Sequence, residues 1–333
     1  MLASTPLAHE TWFVRHPEDY PLDWSALERP VVLAGLVAVA GVAVCWRVVA
    51  RRLPVPELQP LRPLARLIPW VPRLLALHLG VSLLLLAWTR SVLAPGIEVP
   101  SGLSGTLLLA PEVLAALLLL TGYGVPLAAY VVIAAGPVVW LLAGTQALLS
   151  CLVLLGIAAF LVVLPPRAEL GGRARLDVPR LRPALLMLRL GTAGTLIALA
   201  VVEKLANPAM AQAMLVQKPV LNVLAPIGVS AGGFATFAGC VEVLFGLLVL
   251  SGALPQVVAL VAAVPFTSTL FLFGGTELVG HLPVYGVLLA VLVLGSQQRT
   301  SREVSWLPRR HTGHKDLTNV ESSGKVLGSS TSV

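Results

Sequence analysis

Charged residues are scarce in this chain of 333 amino acids. Only 12% of its residues are charged and 57% are hydrophobic, whereas a soluble domain has roughly 25% charged residues. This composition excludes an ordinary soluble domain and predicts an integral membrane protein. The apolar runs are long and do not alternate with polar residues, so the spans are predicted to be helices and not strands of a barrel.

The chain also has few cysteines and lacks the common catalytic motifs. Cys45, Cys151 and Cys240 lie far apart in apolar runs and form no CxxC pair, which argues against a thioredoxin-type site or a cysteine-rich metal site. There is no phosphate-binding loop, dinucleotide fingerprint or HExxH motif. We therefore expect no metal site, and we do not expect the chain to be an enzyme by itself.

Nine apolar stretches predict nine membrane helices. They cover residues 30–50, 73–94, 104–121, 125–143, 146–164, 183–203, 233–250, 256–273 and 281–296. Arginine-rich segments follow the first, fifth and ninth stretches, and basic loops face the cytoplasm. This pattern predicts a multi-pass protein of the bacterial plasma membrane with its N-terminus outside and its C-terminus in the cytoplasm. The net charge of +7 is thereby explained without a nucleic-acid partner.

The sequence contains an internal repeat. The segment PEVLAALLLLTG at 111–122 matches VEVLFGLLVLSG at 241–252, with seven of twelve residues identical. Two further blocks match in the same order, 76–96 with 187–209 and 143–150 with 274–281. The predicted organisation is an extracytoplasmic segment (1–29), an anchor helix with a surface segment (30–72), two parallel four-helix units (73–164 and 183–296) and a disordered tail (297–333).

These blocks resemble a known family. The order RLGTAG…EKLANP, FAGCVEVLFGLLVLSG and FGGTELVGHLPVYGVLLAVLVLG is similar to that of the DoxX-like four-helix membrane proteins. That family includes membrane subunits of thiosulfate:quinone oxidoreductase and the MauE-like proteins. The resemblance covers 183–296 well and 73–164 more weakly, as expected of a tandem duplication. It implies a membrane subunit of a redox system, with a quinone as the cofactor to consider.

Acidic residues within predicted spans are the first candidates for a site. An ionisable residue inside a span costs roughly 2.5–3.5 kcal/mol on insertion scales. Glu242 is predicted to lie about 12–14 Å deep in its helix, with Lys204 near enough to form an ion pair. In the first unit, Arg90 and Glu112 are predicted to form the corresponding structural ion pair. We consider two interpretations of Lys204 and Glu242, a functional site and a salt bridge that holds two helices together.

A second group of polar residues distinguishes the two units. Glu277 and His281 correspond to Gln146 and Ser150 of the first unit, so only the second unit carries this titratable pair. We predict that Glu242, His281 and Glu277 are catalytic residues near the extracytoplasmic face. Lys204 and Thr276 are predicted to bind the cofactor, because a quinone headgroup needs hydrogen-bonding partners and a proton route. The alternative is a polar turn between two helices that has no chemical role.

Three functions remain open at this point. The first is a membrane subunit of a redox system that binds a quinone near the extracytoplasmic face and docks an oxidoreductase partner. The second is a non-catalytic scaffold or assembly subunit of a larger membrane complex. The third, which the sequence favours least, is a transporter of small solutes. All three place the chain in a lipid bilayer.

Overall fold

The protein is helical throughout the part that the structure describes. The structure is a computed structural model, and it describes residues 19–54, 56–94, 97–166, 176–273 and 275–305, except for the side chains of 272–277 and 305. Ten α-helices are found over these ranges. They are α1 Pro30–Ala50, α2 Val71–Trp88, α3 Leu103–Thr121, α4 Val125–Val163, α5 Val178–Leu199, α6 Pro208–Gln217, α7 Ala231–Ser251, α8 Pro255–Phe273, α9 Gly275–Leu294 and α10 Gln298–Ser305.

Several of these helices suit a membrane. Among the described residues, six helical segments are long and apolar enough to cross a bilayer. They are Pro30–Ala50, Gln59–Trp88, Leu103–Thr121, Val125–Val163, Val178–Leu205 and Ala231–Ser251. Helices α8 and α9 add two shorter apolar stretches, Pro255–Phe271 and Leu278–Leu294. The expectation of a multi-pass helical protein in a lipid bilayer is confirmed at this level.

Helix α4 folds back on itself at Gly144. This glycine has a φ of 85° and a ψ of −175°, a backbone conformation that only glycine adopts readily. A β-carbon placed on Gly136 would lie 3.0 Å from Leu155 Cδ1, although two residues so far apart in a straight helix would be separated by about 28 Å. The element is therefore a hairpin with arms at 125–143 and 145–163, close to the two helices that the sequence predicts there.

The second arm of α4 packs closely on α5. A β-carbon on Gly156 would lie 2.9 Å from Gly191 Cα, so the two backbones approach without an intervening side chain. The Thr195 hydroxyl inserts into the hydrogen-bond ladder of α4. It accepts from the Val153 backbone N–H at 2.9 Å and donates to the Leu149 carbonyl at 3.2 Å. This contact fixes the register of α4 against α5.

The other helices complete the bundle. Helix α2 packs on α3, where Gly80 faces Leu120, and also on α9, where Gly286 faces the His78 side chain. Helix α1 packs mainly on α7, where Gly35 faces Cys240. The rest of α1 is largely exposed. Lipid, or another subunit, is therefore the natural neighbour of that surface.

Polar contacts gather at the end of the bundle that the charge pattern predicts to be cytoplasmic. Arg47 donates to the Ser251 carbonyl at 2.8 Å, and Arg73 donates to the Leu119 carbonyl at 2.8 Å. Each arginine thereby satisfies a carbonyl at the C-terminus of α7 or α3. The Glu57 carboxylate accepts from the Gln256 backbone N–H at 2.6 Å. Burial nevertheless raises the pKa of Glu57 above its ordinary value.

Several predicted boundaries are wrong. Helix α2 ends at Trp88 instead of 94, because the chain then turns through Arg90 and Leu93, both with positive φ. Helix α9 begins at Gly275 instead of 281. The predicted disordered tail contains α10, whose Glu303 pairs with Arg182 at 2.9 Å. Residues 306–333 of the predicted tail and 1–18 of the N-terminal segment lie outside the described residues.

Candidate functional site

Lys204 and Glu242 form an ion pair inside the bundle. Lys204 Nζ lies 3.0 Å from Glu242 Oε1, and the side chains are 12% and 34% exposed. Glu242 belongs to α7, whereas Lys204 lies in the helical turn that follows α5. The predicted pairing is confirmed, and its functional role stays a prediction.

A second carboxylate faces the same lysine. Glu203 Oε2 lies 3.8 Å from Lys204 Nζ, and Glu203 is 1% exposed. Residues Ala200–Leu205 form a π-helical turn, which widens the helix and occurs frequently at functional sites. This turn allows two consecutive residues, Glu203 and Lys204, to point towards the interior. One lysine therefore lies between two carboxylates that belong to different elements.

The ion pair lies well within the helical layer. Glu242 is near the midpoint of α7, about 16 Å from its first residue at the rise of an α-helix. This is deeper than the sequence-based estimate, because α7 begins at Ala231 and not at 233. The connection between α5 and α7 contains α6, which packs on both α7 and the π-helical turn that carries Lys204. Glu242 remains one-third exposed at the flank of the bundle.

Of the predicted site residues in α9, only His281 has a described side chain. Thr276 and Glu277 lie in the first turn of α9, and their side chains fall outside the described residues. His281 lies one turn further along the same helix and meets Phe266 of α8 edge-on, with ring centroids 4.7 Å apart. The backbone of Glu277 and His281 is thus helical, and whether the pair has a chemical role stays a prediction. Their convergence with Lys204 and Glu242 stays a prediction.

The predicted ion pair between Arg90 and Glu112 is not formed. The Arg90 guanidinium is exposed and donates to the Pro100 carbonyl at 2.6 Å. Glu112 is buried in α3, and its Oε1 accepts from the Leu93 backbone N–H at 3.3 Å. The prediction fails because the Arg90 guanidinium lies beside Gly105 at the start of α3, where a β-carbon would be 3.0 Å from Arg90 Nη2. Glu112 is about 10 Å further along the helix.

Comparison of the chain with protein-family models, with curated proteins and with solved structures gives no match.

Two buried charged residues were not identified from the sequence. Glu203 is not among the predicted site residues, although its position beside Lys204 at the end of an apolar run indicates a second ionisable group near the membrane. Arg189 is 1% exposed and lies beside Gly252, where α7 ends. Its position in an apolar helix was visible, but nothing in the sequence indicated which partner it would meet.

The described part of the site consists of two carboxylates and a lysine. Among the described residues, no cluster of three or more His, Cys, Asp or Glu side chains is arranged to hold a metal ion. The chemistry available to Glu203, Lys204 and Glu242 is hydrogen bonding and proton exchange. Lys204 can donate hydrogen bonds, and the carboxylates can accept hydrogen bonds or protons.

Proposed function

We propose that this chain is a membrane subunit of a redox system that binds a quinone beside the Lys204–Glu242 pair. The observation that carries the proposal is this ion pair. Glu203 lies 3.8 Å from the same lysine, and the side chain of Glu242 is one-third exposed. Ionisable residues that are retained inside a membrane are candidates for functional sites. An accessible flank within the helical layer suits a ligand that arrives through the lipid.

The residues present fit a quinone headgroup. Lys204 would donate a hydrogen bond to a quinone carbonyl, and Glu242 would take up or release a proton beside it. A bound quinone would supply proton-coupled electron transfer. Glu277, His281 and Thr276 on α9 are proposed to extend the site and to provide its proton route. The connection between α5 and α7, which contains α6 and is predicted to lie outside the membrane, would offer the docking surface for an oxidoreductase partner.

The proposed tandem duplication is supported by recurring contacts between helices. The hairpin formed by the two arms of α4 has its counterpart in the hairpin of α8 and α9. The contact between α2 and α9 mirrors the contact between α5 and the second arm of α4. Gly122 and Gly252, which both have positive φ, end α3 and α7 and lie 130 residues apart. The similarity to DoxX-like proteins and the bacterial plasma membrane belong to the same proposal.

The experiment is to purify the protein from its native membranes in a mild detergent and to quantify the quinones that remain bound. We expect a quinone in stoichiometric amount, its loss in Glu242→Gln, and its retention in Glu112→Gln. The second variant is the matched control, because Glu112 occupies the corresponding position of the other unit. Absence of quinone from the wild-type protein, or its full retention in Glu242→Gln, would overturn the proposal.

A scaffold role is the second candidate, and the exposure of α1 favours it. Val31, Val37 and Val44 of this helix are 65%, 73% and 64% exposed, so α1 offers a long apolar face to another membrane subunit. A scaffold would co-purify with larger subunits and would lose them when this face carries Val37→Trp and Val44→Trp. It would tolerate Glu242→Gln, which separates this role from quinone binding.

A further inference from the structure

Glu112 of α3 is the most isolated acidic group in the described part of the bundle. The residue is 6% exposed, and Oε1 has a single hydrogen bond, from the Leu93 N–H at 3.3 Å. Its other oxygen, Oε2, is buried and has no hydrogen-bonding partner among the described residues. The contrast with Glu242 is sharp, because Glu242 is paired with a lysine.

Among the described residues, no cationic side chain pairs with Glu112. On its own helix face lie Leu109, Ala115 and Ala116, all buried and apolar. On the second arm of α4, the Cys151 thiol donates to the Ala147 carbonyl and so offers no positive charge.

The segment that follows α2 contributes the remaining charged group near Glu112. Arg90 donates to the Pro100 carbonyl and lies beside Gly105 at the start of α3, about 10 Å along the helix from Glu112. From α2 itself, His78 is turned towards Gly286 of α9, with Nδ1 at 2.8 Å from the Leu74 carbonyl. Among the described residues, the one hydrogen bond to Glu112 comes from the Leu93 backbone N–H, which cannot balance a negative charge.

An ionised carboxylate in such surroundings is strongly disfavoured. Moving an isolated charge into an apolar medium costs so much free energy that the group neutralises instead. One backbone hydrogen bond of ordinary strength contributes about 1 kcal/mol net, which is too little to retain the charge. Protonation removes the cost, because a neutral carboxylic acid keeps Oε1 as the acceptor for Leu93.

We propose that Glu112 is a buried proton-binding site, held as a neutral carboxylic acid at neutral pH. The bound proton would lie on Oε2, the oxygen without a partner, and would provide a hydrogen-bond donor inside the first predicted unit. This proposal does not depend on the quinone proposal, since it rests on the surroundings of Glu112 alone. The two acids at corresponding positions then differ, since Glu242 is paired with Lys204 and Glu112 is neutral.

The backbone that serves Glu112 is strained. Leu93, which donates the hydrogen bond, has a φ of 53°, and Arg90 has a φ of 56°. Non-glycine residues rarely adopt positive φ, and such strain is often retained at functional sites. A change in the protonation of Glu112 would alter the strength of its bond to Leu93, because hydrogen bonds to a charged acceptor are roughly twice as strong. The turn after α2 is therefore the element that would respond to proton loss.

The test is infrared spectroscopy of the full-length protein in detergent or lipid at neutral pH. The carbonyl stretch of a protonated carboxylic acid is separate from the bands of a carboxylate, and it shifts on exchange into D₂O. We expect the difference spectrum between wild type and Glu112→Gln to contain this protonated-acid band. The matched control is Glu242→Gln, whose difference spectrum should contain carboxylate bands.

Two results would overturn the proposal. One is a wild-type minus Glu112→Gln spectrum that shows only carboxylate bands. The other is loss of the protonated-acid band in Glu242→Gln and not in Glu112→Gln. If Glu112→Gln does not fold, Glu112→Asp serves instead, because a shortened acid at this position should displace the same band. A band that Glu112→Asp leaves unmoved would also overturn the proposal.

Discussion

Glu112 and Glu242 occupy matching positions in two similar segments, yet they have different partners. Glu242 meets Lys204 at 3.0 Å and Glu112 meets only the Leu93 backbone N–H at 3.3 Å. The helices that carry the two acids are alike, and the difference comes from the segment that follows the preceding helix. After α5 the chain continues as a π-helical turn, whereas after α2 it turns sharply through residues with positive φ.

The acid therefore recurs at the same position in both segments, whereas its partner differs between them. Lys204 and Leu93 are separated by 111 residues, the same spacing that separates Gly191 from Gly80. The position that supplies a side-chain cation in one unit thus supplies a backbone donor in the other. The two acids can therefore have different roles although their helices are similar.

The largest expected effect comes from removing the cation between the two carboxylates. Lys204→Met removes the ammonium group that contacts both Glu203 and Glu242. Breaking a buried ion pair costs about 3–5 kcal/mol, and we expect the lower end because Glu242 is partly exposed. Thermal unfolding in detergent measures the loss. Lys218→Met, at an exposed lysine, is the control, and an equal effect of the two substitutions would contradict the prediction.

A smaller effect is expected at the glycines between helices. Gly191→Ala places a methyl group against backbone atoms of α4, 2.6 Å from Gly156 Cα, and overpacking of this kind costs about 1–3 kcal/mol. Gly286→Ala meets the His78 side chain, which can move, so its cost should be lower. The two melting temperatures compare the interfaces directly. Gly41→Ala, with no neighbour within 4 Å, should be close to neutral.

Glu112→Gln should have a still smaller effect on stability. Glutamine keeps the shape of the side chain and an oxygen to accept from Leu93 N–H, and it replaces a neutral acid by a neutral amide. We expect a change in the free energy of unfolding of less than about 1 kcal/mol, the value of one ordinary hydrogen bond. Chemical denaturation of wild type and variant provides the comparison. A loss as large as that of Lys204→Met would show that Glu112 carries a stabilising charge.

The smallest effect is expected at Arg90. Its guanidinium is exposed and bonds to the Pro100 carbonyl instead of Glu112, so Arg90→Ala should change stability by no more than about 0.5 kcal/mol. A double variant with Glu112→Gln should show additive changes, because the two side chains do not interact. A measured coupling energy between the two substitutions would contradict this and would support the ion pair that the sequence predicts.

Much of the helical framework is readable from the sequence. Helix α1 is found as predicted, and α8 within one residue of its predicted start, because long apolar runs bounded by proline or polar residues define both ends. The break in α4 is also predictable, since Gly144 separates two apolar runs. The ion pair of Lys204 with Glu242 follows from the cost of leaving either charge unpaired in an apolar layer.

The failures have a common physical cause. The positive φ of Arg90 and Leu93 depends on tertiary packing, and no local pattern indicates it. The hydrophilic residues of α10 resemble a solvated tail, but Ser301 and Val304 are buried against the bundle. Glu203 was missed because a regular α-helix would not direct both Glu203 and Lys204 inwards.

The π-helical turn has a consequence for insertions and deletions. A π-helical turn holds one residue more than the α-helical turn it replaces. Deleting Val201 would return this stretch to a regular helix, in which the consecutive residues Glu203 and Lys204 are about 100° apart and could not both face the interior. The deletion of one codon could thus remove the arrangement of Glu203, Lys204 and Glu242, while every charged side chain is retained.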